Sequence, residues 1–133
     1  MKIKVDSPFS DEKRQIGIDF DGVIHKCSKG FHDGTVYDDP VEGSLEAIKF
    51  LSEKYTIVVY SAKARKDRPL VQGMTGVQHI CKWLEDNGFS EYINEVTAEK
   101  PRALFYIDDR AITFTDWESC LSNVKKLDIN CNG

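Results

Sequence analysis

The sequence predicts an α/β fold: a Rossmann-like, doubly wound, mainly parallel sheet with helices on both faces and a small flap after the first strand, without a separate cap domain. Three observations carry that expectation. Short β-branched and aromatic runs at 16–20, 55–60 and 103–107 alternate with segments whose apolar residues recur at helical spacing. The middle run, Tyr-Thr-Ile-Val-Val-Tyr, is β-branched or aromatic throughout, as strands covered on both faces are. Each run leads into a residue able to do chemistry, Asp19 and Asp21, Ser61, or Asp108 and Asp109, at the strand end where open α/β sheets place their sites.

Size and charge narrow the field. With 133 residues, 41% hydrophobic and 30% charged, the chain has enough apolar material for one domain, 1–133, that needs no disulfide or metal to hold it together. No run approaches a membrane span, and the opening Met-Lys-Ile-Lys-Val-Asp lacks the apolar core of a signal peptide, so a cytoplasmic protein without a membrane partner is expected. A net charge of −4 gives no overall attraction to nucleic acid, and any polyanion must be met locally. Cys27, Cys81, Cys120 and Cys131 form no Cys-x-x-Cys pair, as expected of free thiols in a reducing compartment. His25, Cys27 and His32 lie close in sequence but lack a fourth ligand and a common zinc spacing, and are read as flap positions.

Residues 1–14 form a polar lead-in with room for a short edge strand at 2–5. The first strand then delivers Asp19 and Asp21 and turns at Gly22. From 23 to 40, Gly30, Gly34 and small polar residues surround short apolar pieces, which predicts a hairpin-like flap above the two acids. Ser44 is the expected N-cap of a helix that buries Leu45, Ile48 and Leu51. The strand at 55–60 ends at Ser61, and Lys63, Arg65, Lys66 and Arg68 follow in a loop closed by Pro69 and Gly73. Val77, Ile80, Cys81 and Leu84 define the next buried helix face, with Gly88 as its stop. A short strand at 93–97 and a buried strand at 103–107 come next. The last helix carries Trp117, Cys120, Leu121, Val124 and Leu127 on one side, with Thr115 and Glu118 spaced as a capping box. Too few residues separate the last two strands for a helical crossover, which makes 93–97 either a short edge piece or a segment outside the main sheet.

Asp19 and Asp21, two apart on an extended chain, face one small volume. Carboxylates so placed repel each other unless a cation or a shared proton lies between them. Mg2+, which takes a few carboxylate oxygens together with water and phosphate oxygens, meets that need. A turn with solvated acids is the plain alternative for this stretch alone. Ser61, Asp108, Asp109 and Lys100, the last in Glu-Lys-Pro before the final strand, converge on the same strand ends. Taken singly, such a serine is a turn residue and such a lysine a surface charge. Together and in order they are what phosphoryl transfer requires, positioning and charge neutralisation around the phosphoryl oxygens.

Asp19-Phe-Asp21-Gly-Val, Ser61 after Ile-Val-Val-Tyr, Lys100-Pro101 and Tyr-Ile-Asp108-Asp109 resemble, in order, the four motifs of the haloacid-dehalogenase-like (HAD) hydrolases. The resemblance spans about 16–127. It implies a small capless Mg2+-dependent phosphomonoester hydrolase, a phosphatase that works through an aspartyl-phosphate. By the same resemblance Asp19 is the nucleophile, Asp21 the general acid and then base, Ser61 a hydrogen-bond donor to the phosphoryl group and Lys100 its charge partner. Asp19, the Asp21 carbonyl, Asp108 and Asp109 are the implied metal site. The adjacent Asp-Asp pair departs from acids spread over a longer turn, which leaves the division of metal duties between Asp108 and Asp109 open.

With no room for a cap, the flap, the basic loop or a neighbouring subunit must define the substrate. Lys63, Arg65 and Arg68 are the expected substrate-binding residues, for a nucleotide, a sugar phosphate or a nucleic-acid end; a solvated surface is the plain alternative. Two readings compete with the phosphatase. One is a receiver-type phosphoacceptor module, which also gathers acids, a hydroxyl and a lysine around Mg2+. The other is a catalytically inactive binding protein on the same fold.

Overall fold

The computed structural model describes residues 14–132, with side chains to 127, and the strand expected at 2–5 lies outside them. Strands β1 (Gln15–Asp19), β2 (Thr56–Tyr60), β3 (Glu95–Thr97) and β4 (Tyr106–Ile107) form one all-parallel sheet in the order β3-β2-β1-β4. Among the described residues three α-helices accompany it, α1 (Ser44–Ser52), α2 (Gly76–Asp86) and α3 (Trp117–Asn132). The fold is α/β.

Side chains alternate across a sheet, and here the alternation separates two differently covered faces. Ile16, Ile18 and Phe20 from the β1 stretch and Ile57 and Val59 from β2 share one buried cluster with Ile48 of α1 and Ile80, Trp83 and Leu84 of α2. Val58 and Tyr60 point the other way and are also buried, so β2 is covered on both faces as its sequence requires. The strand order explains the arrangement. The steps β1 to β2 and β2 to β3 run in the same direction, and right-handed crossovers then put both helices on one side. The step from β3 back to β4 reverses direction, so the same handedness sends it over the opposite face.

That last crossover is an extended strap, not a helix. At Gly17 an added Cβ would stand 2.8 Å from the Tyr106 ring and 3.2 Å from Pro101 Cγ, so the missing side chain is what lets strap and ring lie against β1. The strap can be short because β3 and β4 sit level with the upper part of β1. Thr97 is in register with Tyr60 and so with Asp19, while the Leu104 N–H donates to the Gln15 carbonyl at 2.8 Å. An extended chain needs to run about 14 Å sideways and about 13 Å down, which residues 98–103 can span. The segment at 93–97 is therefore an edge strand of the main sheet.

Several local expectations shift. Gly43, not Ser44, occupies the N-cap of α1, and the Ser44 hydroxyl is buried without a described partner. The buried face of α2 centres on Ile80, Trp83 and Leu84, which turns Cys81 to solvent; Thr75 and Gln78 cap this helix reciprocally. Residues 103–107 are not a buried strand. Among the described residues β4 is an edge strand bonded to β1 alone, with Leu104, Phe105 and Tyr106 exposed. α3 is capped by Asp116, whose Oδ1 accepts from the Ser119 N–H at 2.8 Å, in place of the expected Thr115–Glu118 box. Its apolar stripe of Trp117, Leu121 and Leu127 stays exposed, so the helices packed against the core, α1 and α2, share one face.

The flap at 23–40 is a hairpin only at its base. There the Lys26 N–H donates to the Asp39 carbonyl at 3.0 Å and the Val41 N–H to the Ile24 carbonyl at 2.8 Å, and turns fill the rest. Among the described residues no helix is long and apolar enough to cross a membrane.

Candidate functional site

Strand order reverses between β1 and β4, and ligands of open α/β sheets bind in the crevice beyond the carboxyl ends at that reversal. Asp19 ends β1, and Asp108 and Asp109 follow β4; carboxylate oxygens of the three lie within 4.8 Å of one another. Asp108 is oriented by two donors, the Tyr60 hydroxyl at 3.0 Å and the Arg110 N–H at 2.8 Å. Asp109 reaches over Gly22, where φ is +88° and a Cβ would collide with its carboxylate. Burial, with repulsion from Asp108 and Asp109, pushes the Asp19 carboxyl up to about 7. A divalent cation among the three would remove that repulsion. The donors are hard oxygens with room for further ligands, which suits Mg2+ better than a softer metal.

Asp21 lives in the opposite electrostatic setting. Its Oδ1 accepts from His25 Nδ1 at 2.9 Å and from Lys63 Nζ at 3.1 Å. The Asp38 N–H donates to His25 Nε2 at 2.9 Å, so the ring proton sits on Nδ1 and points at Asp21. Phe20 stacks on the imidazole at 5.3 Å, and Trp83 and Tyr37 meet it edge-on, which leaves it no other orientation. Lys63 is 1% exposed, and its ammonium also donates to the Thr35 carbonyl at 3.1 Å. Although burial opposes it, hydrogen bonding from His25 together with the Lys63 charge and hydrogen bond holds the Asp21 carboxyl below its ordinary range.

Asp21, His25 and Cys27 also place potential ligand atoms within 4.8 Å. The Lys63 ammonium already supplies the positive charge there, so a second metal would have to displace it. His32 stands apart from this group, edge-on to Tyr37 at 5.6 Å, and the zinc trio of the sequence does not assemble.

Asp19, Asp21, Ser61 and Asp109 line one open cleft of about 360 Å3 with Gly22, Lys26, Cys27, Gly30, Phe31, Ala62 and Arg110. Ser61 Oγ is 3.4 Å from Asp21 Oδ2 and accepts from the Lys63 N–H at 3.1 Å. Of the expected cations, Lys63 is buried against Asp21 and the others go elsewhere. Lys100 lies over the Tyr106 ring at 4.3 Å and the Tyr60 ring at 6.0 Å, and its described contacts are with rings rather than carboxylates. Arg65 pairs with Asp67 at 2.7 Å and faces a different cleft, beside Lys66, Glu95 and Glu99. Arg68 donates to the Lys63 carbonyl at 3.3 Å and stacks on Phe31 at 4.4 Å.

Sequence reasoning did not select His25, Lys26, Phe31, Tyr60 or Arg110. Arg110 follows the Asp-Asp pair directly and was within reach of the strand-end rule. The flap residues carried no periodic signal. Compared with protein families, curated proteins and solved structures, the chain gives no match.

Proposed function

We propose that this chain is a Mg2+-dependent phosphomonoester hydrolase that forms an aspartyl-phosphate on Asp19, as its resemblance to the HAD hydrolases implies. The observation that carries the reading is the gathering of Asp19, Asp108 and Asp109 at the reversal of strand order, with the Asp19 carboxyl pushed up to about 7 by burial and by repulsion from the other two. The order β3-β2-β1-β4 matches one half of the doubly wound Rossmann-like arrangement and supports the same assignment.

Mg2+ held by Asp19, Asp108 and Asp109 would offset the charge of the phosphate and return Asp19 to its nucleophilic carboxylate form. In the first half-reaction an Asp19 oxygen attacks phosphorus and the bond to the leaving oxygen breaks as Asp21 gives that oxygen a proton. In the second, Asp21 takes a proton from the water that cleaves the acyl phosphate. With His25 and Lys63 on Oδ1, Asp21 keeps Oδ2 for this proton beside Ser61. Its lowered pKa keeps it ionised and so free to accept that proton, while it weakens Asp21 as a base and makes protonating a poor leaving group the harder half of the cycle.

A second reading draws on the same ion pair. If Lys63 holds Asp21 too firmly for base chemistry, the phosphate stays on Asp19 and the chain is a phosphoacceptor module. Hydrolysis of an aryl phosphate with and without Mg2+, by wild type and Asp19→Asn, separates the two. Metal-dependent turnover that the variant lacks supports the phosphatase. No turnover, with a lasting Asp19 adduct from an acyl phosphate donor, supports the module; neither outcome leaves a binding role.

A further inference from the structure

We infer that the cleft takes a nucleoside phosphomonoester, either a free mononucleotide or the phosphorylated end of an oligonucleotide. This deepens the phosphatase reading and rests on it for the place of the reacting phosphate. Three features of the cleft wall select that chemistry.

The first is Phe31. It is 47% exposed, yet it lines the cleft and is held by cations, with the Arg68 guanidinium 4.4 Å from its ring centroid and the Lys63 ammonium at 5.7 Å. Arg68 is itself held by the Lys63 carbonyl. An exposed ring already held by such contacts has less freedom to lose when a flat base stacks on it.

The second is a pair of cations. Lys26 and Arg110 line the cleft together with the acids, and no ion pair within 4.0 Å joins either side chain to a described carboxylate. They are placed to meet phosphate oxygens that the metal site leaves uncovered.

The third is what the wall lacks. Besides the acids and these cations, the described lining is Gly22, Gly30, Ala62, Phe31, Cys27 and Ser61. The Cys27 thiol is committed to the Gly30 carbonyl, which leaves the Ser61 hydroxyl as the neutral side-chain polar group. A site that selects a sugar by its hydroxyls needs several such partners. This wall offers an aromatic face instead.

Binding to Asp19→Asn protein with Mg2+, followed by calorimetry, tests the inference without requiring turnover. AMP is expected to bind at least about tenfold more tightly than ribose 5-phosphate, from stacking of the base. Phe31→Ala should collapse that ratio towards one, and Phe31→Trp should preserve it. Equal affinities, a ratio that survives Phe31→Ala, or no measurable binding of either compound overturns the inference. A 5′-phosphorylated trinucleotide ending in the same nucleoside separates the sources: tighter, salt-sensitive binding than AMP assigns an oligonucleotide end, and equal or weaker binding a free nucleotide. Aryl phosphate hydrolysis by wild type is followed in parallel. Its absence beside a Phe31-dependent AMP preference would count against the phosphatase and leave the nucleoside site standing.

Discussion

Asp19 and Asp21 are separated by one residue, line one cleft, and have been given opposite environments. Asp19 stands among carboxylates, and burial with their repulsion pushes it up to about 7. Asp21 is met by His25 and a buried Lys63 and is held below its ordinary range. The chain thus supplies its own counter-charge to one acid and, among the described residues, none to the other. The division here predicts that metal and substrate act on the Asp19 side while the Asp21 side stays built in.

Removing Asp19 should break the contrast most completely. Asp19→Asn is expected to lower Mg2+-dependent aryl phosphate turnover by at least about a thousandfold, since no second carboxylate can replace the nucleophile in place. The same variant should leave the metal-free protein no less stable, because it removes a repelled charge. Turnover within tenfold of wild type would sink the nucleophile assignment.

The Asp21 side should respond in stability first. Lys63→Met strands a part-buried carboxylate beside an imidazole and cuts the tie to Thr35. Urea unfolding is expected to show a loss of about 3 kcal/mol, the scale for breaking a buried ion pair from one side. A double-mutant cycle with Asp21→Asn should recover a coupling of about 1 kcal/mol or more. Additive losses would mean that the 3.1 Å contact carries little energy.

Proton linkage sharpens the comparison because the two acids contribute with opposite sign. Asp19 has an ordinary pKa of 3.8 and a folded value of about 7, so the folded chain binds more proton between them and stability is lost as pH rises through that window. Asp21 is lowered, so its contribution is present above the ordinary 3.8 and lost as pH falls below it. In chelator, the difference between wild-type and Asp19→Asn melting should therefore widen in the variant's favour from pH 4 to 8. Solvent screening of a half-exposed group limits the effect to about 1 kcal/mol, or roughly 3 °C. Saturating Mg2+ should close the gap. A flat difference would show that Asp19 titrates normally.

Strand ends were the legible part of this site. Asp19, Ser61 and the Asp108–Asp109 pair follow short apolar runs, and a parallel sheet carries whatever follows such runs to one edge. What escaped was set by tertiary order or by aperiodic backbone. The run at 103–107 reads as buried because it is apolar, yet β4 lies at the edge, a consequence of strand order that no single run encodes. The flap has left-handed backbone at Cys27 and His32, so neither a two-residue nor a 3.6-residue period says which side chains turn inward. That hid His25 behind Asp21 and Phe31 on the cleft wall. The basic loop is the sharpest case, since four cations in six positions look equivalent in sequence yet Lys63 is buried against Asp21 while Arg65 and Lys66 face a different cleft.

The smallest expected effect comes from that loop. After Ser61 the chain makes a single 3-10 turn, Ala62–Ala64, which carries Lys63 into the interior before Arg65 leaves in extended conformation. Lys63 is 1% exposed and bonded to Asp21, whereas the Arg65 side chain is 59% exposed and paired with an equally exposed Asp67 two residues on. An exposed pair of this kind contributes less than about 1 kcal/mol, and Arg65 does not line the acid cleft. Arg65→Ala is therefore expected to change the KM for an aryl phosphate by less than about twofold and stability by less than about 0.5 kcal/mol. A several-fold rise in KM with kcat preserved would instead mean that Arg65 leaves Asp67 for bound substrate, which would move substrate recognition from Phe31 and Arg110 back to the basic loop.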